Sequence, residues 1–171
     1  MLNGKEIEKL IKEKDLIKDF IDLKTQITAN GFDLTVSSVS AFDSKGALDF
    51  SNKERIVPEG KEIPPKKKNP QDNFGWWYLK KGAYKIKTNE VVSLTNDLTA
   101  LAFPRSSLLR MGAFTQTAVW DAGFIGKSEF ILIVDNPKGI ELKQNARIVQ
   151  LVFLKMNEAH QGYQGVYQNK E

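Results

Sequence analysis

The sequence predicts a mainly β chain: a distorted jelly-roll or β-barrel, led by one N-terminal helix and carrying a second, short helix further on. Three observations carry this. Helical periodicity is confined to the first residues. Apolar, β-branched runs too short for stable helices recur from residue 76 onward. Turn signals separate those runs at short intervals. At 171 residues, 41% hydrophobic and 27% charged, the chain is long enough to bury a core and is expected to form one domain, 1–171.

Taken in order, Asn3 is a plausible N-cap with Glu6 three residues on, the spacing of a capping box. Ile7, Leu10, Ile11 and Ile17 recur at helical intervals, which assigns a helix to 1–24. Asn30-Gly31 is a turn signal, after which Phe32 to Val36 alternates as a strand does. Residues 51–73 hold Pro58, Pro64, Pro65 and Pro70 among lysines, so no central strand can run through them, and a surface loop is expected. The run Lys66-Lys67-Lys68 and the pair Lys80-Lys81 read as solvated faces. Strands follow at Trp76–Leu79, Ala83–Lys87, Glu90–Leu94, Thr99–Phe103, Glu129–Val134 and Ile148–Leu154, with Asn96-Asp97 a turn. Residues 157–171, with two tyrosines and two glycines, are expected to form a mobile C-terminal arm.

Composition narrows the chemistry. With no cysteine and a single histidine, His160, disulfides and thiolate zinc sites are excluded and a histidine-based centre within one chain is disfavoured. Any metal should be a hard cation held by oxygen ligands and substrate phosphates. A net charge of +4 suits a small anionic partner and is modest for a duplex-binding protein. No apolar run approaches the roughly 20 residues of a membrane helix, and the N-terminus lacks the apolar centre of a secretory signal. The expected partners therefore include no nucleic acid and no membrane, and the expected compartment is the cytoplasm.

Two stretches carry candidate chemistry. Phe103 to Gly112 opens with Pro104-Arg105-Ser106-Ser107, continues through one apolar turn, and has Gly112 placed to stop it. A helix start presents unpaired N–H groups, Ser106 and Ser107 add hydroxyls, and Arg105 and Arg110 add planar guanidiniums suited to phosphate oxygens. A capped surface helix with ordinary ion pairs has the same spelling. In Trp120-Asp121-Ala122-Gly123-Phe124-Ile125-Gly126, an aspartate before glycines is usually a turn residue; set between large aromatics, it can also be held as a general base toward water.

The motifs together resemble the dUTPase / dCTP deaminase superfamily, on the archaeal dUTPase side. Gly31-Phe32-Asp33-Leu34 is similar to the first motif, where Gly-Tyr-Asp-Leu is typical. Pro104 to Leu108 resembles the second, Trp120 to Gly126 the third, and Arg147-Ile148-Val149-Gln150-Leu151 the fourth. Tyr163-Gln164-Gly165-Val166-Tyr167-Gln168 looks like the Tyr-Gln-Gly-x-Tyr-Gln ending common on the deaminase-like side of the superfamily. Each motif alone is weak; five in order are specific, and they span nearly all of the chain except the Pro/Lys-rich loop.

The resemblance implies a homotrimer with active sites between subunits, dUTP as substrate and Mg²⁺ as cofactor. Asp121 would activate the water that attacks the α-phosphorus. Arg105, Ser106, Ser107 and Gln150, with Arg110 nearby, would hold phosphates. Asp33 would orient the hydrated Mg²⁺ through water. The hairpin running through Gln116, Thr117, Ala118 and Val119 would read the uracil edge, and Phe124 would stack on deoxyribose where many relatives have tyrosine. Tyr163 and Gln168 would close over the nucleotide as part of the arm.

Deamination is the competing activity. Deaminases of the superfamily place a glutamate ten residues after the aspartate that matches Asp121; here that position is Ile131, which cannot move a proton. Glu129 lies two residues earlier on the same strand face, so a dCTP deaminase or bifunctional activity stays open, as does a non-catalytic nucleotide-binding module.

Overall fold

A computed structural model describes residues 1–170. Its first helix, α1 (Gly4–Lys14), begins as the sequence suggests: Asn3 Oδ1 accepts from the Glu6 amide, and a Glu6 carboxylate oxygen accepts from the Asn3 amide. It ends ten residues earlier than the assigned 24. Asp15 takes the left-handed conformation and its N–H closes onto the Leu10 carbonyl, which stops the helix. Ile17, which shares the helical spacing, instead lies in a short strand β1 (Ile17–Lys18) paired with Val92, where its side chain is buried. Periodicity alone could not separate these outcomes, because one apolar residue beyond a helix end satisfies both. A second short helix, α2 (Leu23–Gln26), is N-capped by Asp22.

The remaining strands are β2 (Phe32–Ala41), β3 (Lys61–Glu62), β4 (Trp76–Leu79), β5 (Gly82–Ser93), β6 (Leu98–Pro104), β7 (Ala113–Gln116), β8 (Ile125–Val134), β9 (Ile140–Lys143) and β10 (Arg147–Lys155), with helix α3 (Ser106–Arg110) between β6 and β7. One antiparallel sheet runs in the order β6-β10-β2-β5-β8-β7, with β1 on β5 and β3 on β2; β4 and β9 form a separate pair. The two strands read at Ala83–Lys87 and Glu90–Leu94 are one, β5, whose register slips between Lys87 and Val91.

The sheet curls until its two edges, β6 and β7, nearly meet. Ala100 and Trp120 exchange backbone hydrogen bonds across the gap, and Thr99 Oγ1 donates to the Trp120 carbonyl. At the other end α3 bridges the two edges. Inside lie Phe32, Leu34, Val36, Ile86, Val92, Leu132, Leu151 and Phe153, all buried. Burial of this apolar surface, roughly 25 cal/mol per Å², is the main force holding the barrel.

The Pro/Lys-rich stretch is an ordered excursion. Ala47 and Ile56 pair at its start, β3 pairs with the end of β2, and Lys66 pairs with Trp76. Lys68 is bonded to Glu141 and lies 4.1 Å from the centre of the Trp76 ring. Trp77 is buried and donates to the Ile63 carbonyl. The lysines and tryptophans of this region thus clamp the excursion to β4 and β9. Among the described residues no helix is long and apolar enough to cross a membrane.

Candidate active site

A cavity of about 490 Å³ opens where the barrel edges close. Its wall includes Asp121, Phe124, Ala118, Val119, Trp120 and Ser128, and Glu129, Lys85, Lys87 and Lys127 contribute its charged side. The loop between β7 and β8 presents Asp121: Trp120 is anchored by the bridge to Ala100 and by its indole donating to Ser128 Oγ, and the Phe124 amide then turns back onto the Asp121 carbonyl. Among the described residues the Asp121 carboxylate has neither a hydrogen bond nor an ion pair, and it is exposed to the cavity. That is the state a general base toward water requires.

The arm lies along this loop in the same chain. The Tyr163 amide donates to the Ala122 carbonyl and its ring packs edge-on against Phe124 at 5.6 Å. Gln168 accepts from the Ile125 amide and donates to the Gly123 carbonyl. The Lys127 amide donates to the Lys170 carbonyl, and Tyr163, Tyr167 and Lys170 join the cavity wall. Arg55, from the excursion, stacks over Tyr167.

A second cluster gathers the remaining predicted residues. Asp33 Oδ2 receives both Arg105 Nε at 3.0 Å and an Arg147 guanidinium nitrogen at 3.2 Å. The Asp33 side chain is only 4% exposed, and burial raises its carboxyl above the ordinary carboxylate range against the pull of the two arginines. Gln150 lies beside it on β10, opposite Asp33 in register, and donates to Thr28 Oγ1. Gly31 makes this packing possible: a Cβ there would stand 2.6 Å from the Leu151 carbonyl and 2.8 Å from the Gln150 amide nitrogen. Ser106 and Ser107 open α3 beside Arg105, exposed, and Gly112 at φ +75° ends the turn that follows. Arg110 and Gln116 are exposed.

The predicted site residues therefore form two groups rather than one. Arg105 stands five residues beyond Ala100, the partner of Trp120; at about 3.3 Å per residue, β6 holds it about 16 Å along the barrel wall from the Asp121 loop. Glu129 lines the cavity with Lys85 3.8 Å away, whereas Ile131, on the same face of β8 two residues further on and opposite Gln116, is not part of the cavity wall.

The residues suit a metal that arrives with its ligand. Among the described residues no three acidic or histidine side chains converge to cage a cation. Asp33, the carboxylate assigned that part, is committed through Oδ2 to two arginines, so Oδ1 is the oxygen left to accept from a metal-bound water. That arrangement fits outer-sphere contact with a phosphate-borne Mg²⁺ and does not fit direct ligation.

Two residues of this centre escape a sequence reading. Arg147 is spelled within the fourth motif, yet its role as second partner of Asp33 depends on the β2–β10 register. Glu90 is fully buried under Asp33's strand. A signal for it exists: alternation places Glu90 on the face of Val92 and Leu94, both buried.

The chain is thus a curled antiparallel barrel with a cavity of about 490 Å³, an aspartate on the cavity wall that has no partner among the described residues, and an arginine–serine cluster further along β6. Residues 1–156 match the family model described as dCTP deaminase-like, and the chain belongs to that family. It is 48% identical over 170 residues, 99% of this chain and 96% of the other, to the "Probable deoxyuridine 5'-triphosphate nucleotidohydrolase" of Archaeoglobus fulgidus. It is 34% identical over 155 residues, 90% and 95% of the two chains, to the "Deoxyuridine 5'-triphosphate nucleotidohydrolase" of Methanocaldococcus jannaschii. Among solved structures, a 2'-deoxycytidine 5'-triphosphate deaminase from Agrobacterium tumefaciens superposes with a TM-score of 0.66 at 22% identity, over 89% of this chain and 46% of that one, a likeness of fold.

Proposed function

We propose that the protein hydrolyses dUTP to dUMP and pyrophosphate, with Mg²⁺, in a homotrimer whose active sites form between copies. The observation that carries the chemistry is Asp121: a carboxylate with no partner among the described residues, on the wall of a cavity of about 490 Å³. The relatives' names supply the substrate.

In this reading the base and deoxyribose occupy the cavity, with the backbone of Gln116 to Val119 along the base edge and the Phe124 face against the sugar. Asp121 takes a proton from water as the water attacks the α-phosphorus, and pyrophosphate leaves. The triphosphate extends beyond the cavity toward Arg105, Ser106, Ser107 and Gln150 of a second copy, because the same residues of the first copy stand too far along the barrel to reach it. Mg²⁺ bound to the triphosphate supplies charge neutralisation and holds the oxygens in line. Tyr163 and Gln168, already packed on the Asp121 loop, close the cavity against water. The expected compartment remains the cytoplasm.

A mixing experiment tests the divided site. Asp121→Asn and Arg105→Ala proteins should each be nearly inactive on dUTP. After the two are co-refolded, each mixed oligomer contains sites with both native residues, and pyrophosphate release should reappear. Activity that stays at the sum of the separate variants means that the two residues serve one chain, or that Asp121 is not the base.

One observation favours a second reading, deamination of dCTP: Glu129 does line the cavity. Product analysis with dUTP and dCTP side by side separates the activities, since dUTP formed from dCTP requires loss of the amino group.

A further inference from the structure

Beneath the Asp33 cluster lies a carboxylate to which none of these steps assigns a part. Glu90 is 0% exposed, and among the described residues no lysine, arginine or histidine pairs with it. Three donors converge on it instead. Gln26 Nε2 reaches Oε1 at 2.7 Å, Thr35 Oγ1 reaches the same oxygen at 2.6 Å, and the Thr35 amide reaches Oε2 at 2.9 Å. A buried charge without a cation is costly, and an apolar side chain in its place would pack at lower cost. What the carboxylate provides is registration, because its partners hold the backbone on both sides of Asp33.

Gln26 is the link. The Nε2 that donates to Glu90 also donates to the Asp33 carbonyl at 2.9 Å, while its Oε1 accepts the Ile21 and Asp22 amides. Thr35, two residues past Asp33, is held through its amide. Asp33 is thereby gripped at its own carbonyl and at residue 35, in the strand segment that aims its carboxylate at Arg105 and Arg147. Unbroken alternation from Ile86 through Thr88 to Val92 points Glu90 inward, and Thr88 Oγ1 donates to the Glu90 carbonyl. Thr88 Oγ1 in turn accepts the Ser128 amide, and Ser128 Oγ accepts the Trp120 indole next to Asp121. Every step of this path is a hydrogen bond between buried groups.

We infer that Glu90 is a positioning residue for phosphate binding: through Gln26 and Thr35 it sets the register of Asp33, and through Asp33 the aim of Arg105. It touches no substrate. The inference rests on the phosphate role proposed above for Arg105, and predicts a selective defect rather than a general one. Glu90→Gln keeps size and polarity but turns an amide donor toward at least one of three converging donors, which loosens the Asp33 segment while leaving the nucleoside cavity intact.

The test compares ligands that differ only in phosphates. Binding of dUMP and of the non-hydrolysable α,β-imido analogue of dUTP, each with Mg²⁺, is measured by calorimetry on wild type, Glu90→Gln and Gln26→Met, alongside dUTP hydrolysis. Both variants should bind the triphosphate analogue about tenfold more weakly, the lower end of what loss of an outer-shell partner costs, with dUMP affinity within about twofold of wild type. KM for dUTP should rise with the triphosphate defect while kcat changes less. Gln26→Met leaves Glu90 its two Thr35 bonds, and gives the answer should Glu90→Gln not fold. Equal losses for both ligands, or no loss for either, overturn the positioning role. A wild type that binds both ligands and does not hydrolyse dUTP defeats the proposed reaction instead, and leaves the Glu90 comparison readable.

Discussion

The two aspartates of this protein, Asp33 and Asp121, occupy opposite physical states. Asp33 is buried, bonded to two guanidiniums and fixed in a central strand. Asp121 is exposed to a cavity, without a partner among the described residues, on a loop held at Trp120, Ala122 and Gly123. A carboxylate already engaged by two cations holds its neighbours in place and makes a poor base, whereas a free one is ready to take a proton. The difference teaches that what surrounds a residue type, and not its spelling in a motif, sets the physical state it takes.

The largest expected effect comes from neutralising the free member. Asp121→Asn should lower the rate of pyrophosphate release from dUTP by about 10²- to 10⁴-fold, the usual contribution of a general base, with an unchanged melting temperature. A variant that turns over like wild type would deny Asp121 its role and erase the contrast.

The converse substitution should act on the fold first. Asp33→Ala removes a charge-assisted hydrogen bond from Arg147 and an ion pair with Arg105 from a nearly closed site and leaves two half-buried guanidiniums without their carboxylate, so stability should fall by about 2 kcal/mol. Urea unfolding measures it directly. A loss under a few tenths of a kcal/mol would make Asp33 as dispensable to the fold as Asp121 is expected to be.

The smallest effect sharpens the comparison through pH. Burial raises the Glu90 carboxyl above its ordinary 4.5, against its three hydrogen bonds. The folded state therefore holds that proton more tightly than the unfolded chain. The contribution to stability is fully present below pH 4.5 and is lost as pH rises through the folded-state value. Glu90→Gln, which cannot ionise, should gain on wild type between pH 4 and 7. Melting curves run in parallel that keep a constant separation would mean that burial does not perturb this group.

Much of the fold was legible in the sequence because local rules decide it. The capping box of Asn3 and Glu6, the short aromatic run from Trp76 to Leu79 closed by Lys80-Lys81-Gly82, and the Gly112 stop after α3 are each set by residues close to each other in the chain. The end of α1 was not legible, since Ile17 satisfies helical spacing and owes its place to pairing with Val92, 75 residues away. The two-residue β3 was likewise too short to announce itself, and β9, Ile-Glu-Leu-Lys, carries only two apolar residues; they exist because β2 and β4 offer them an edge.

The site divides along the same line. Sequence by itself determined which residue types are available for phosphate and water chemistry, and their order in five motifs. Only the tertiary structure decided that Asp121 stays free while Asp33 is taken by Arg105 and Arg147, and that β6 keeps the two groups apart. It also decided that a glutamate in an ordinary-looking strand ends beneath them. The physical reason is range: caps, turns and alternation act over a few residues and are written in neighbours, whereas burial and ion pairing depend on which distant strands the register brings together.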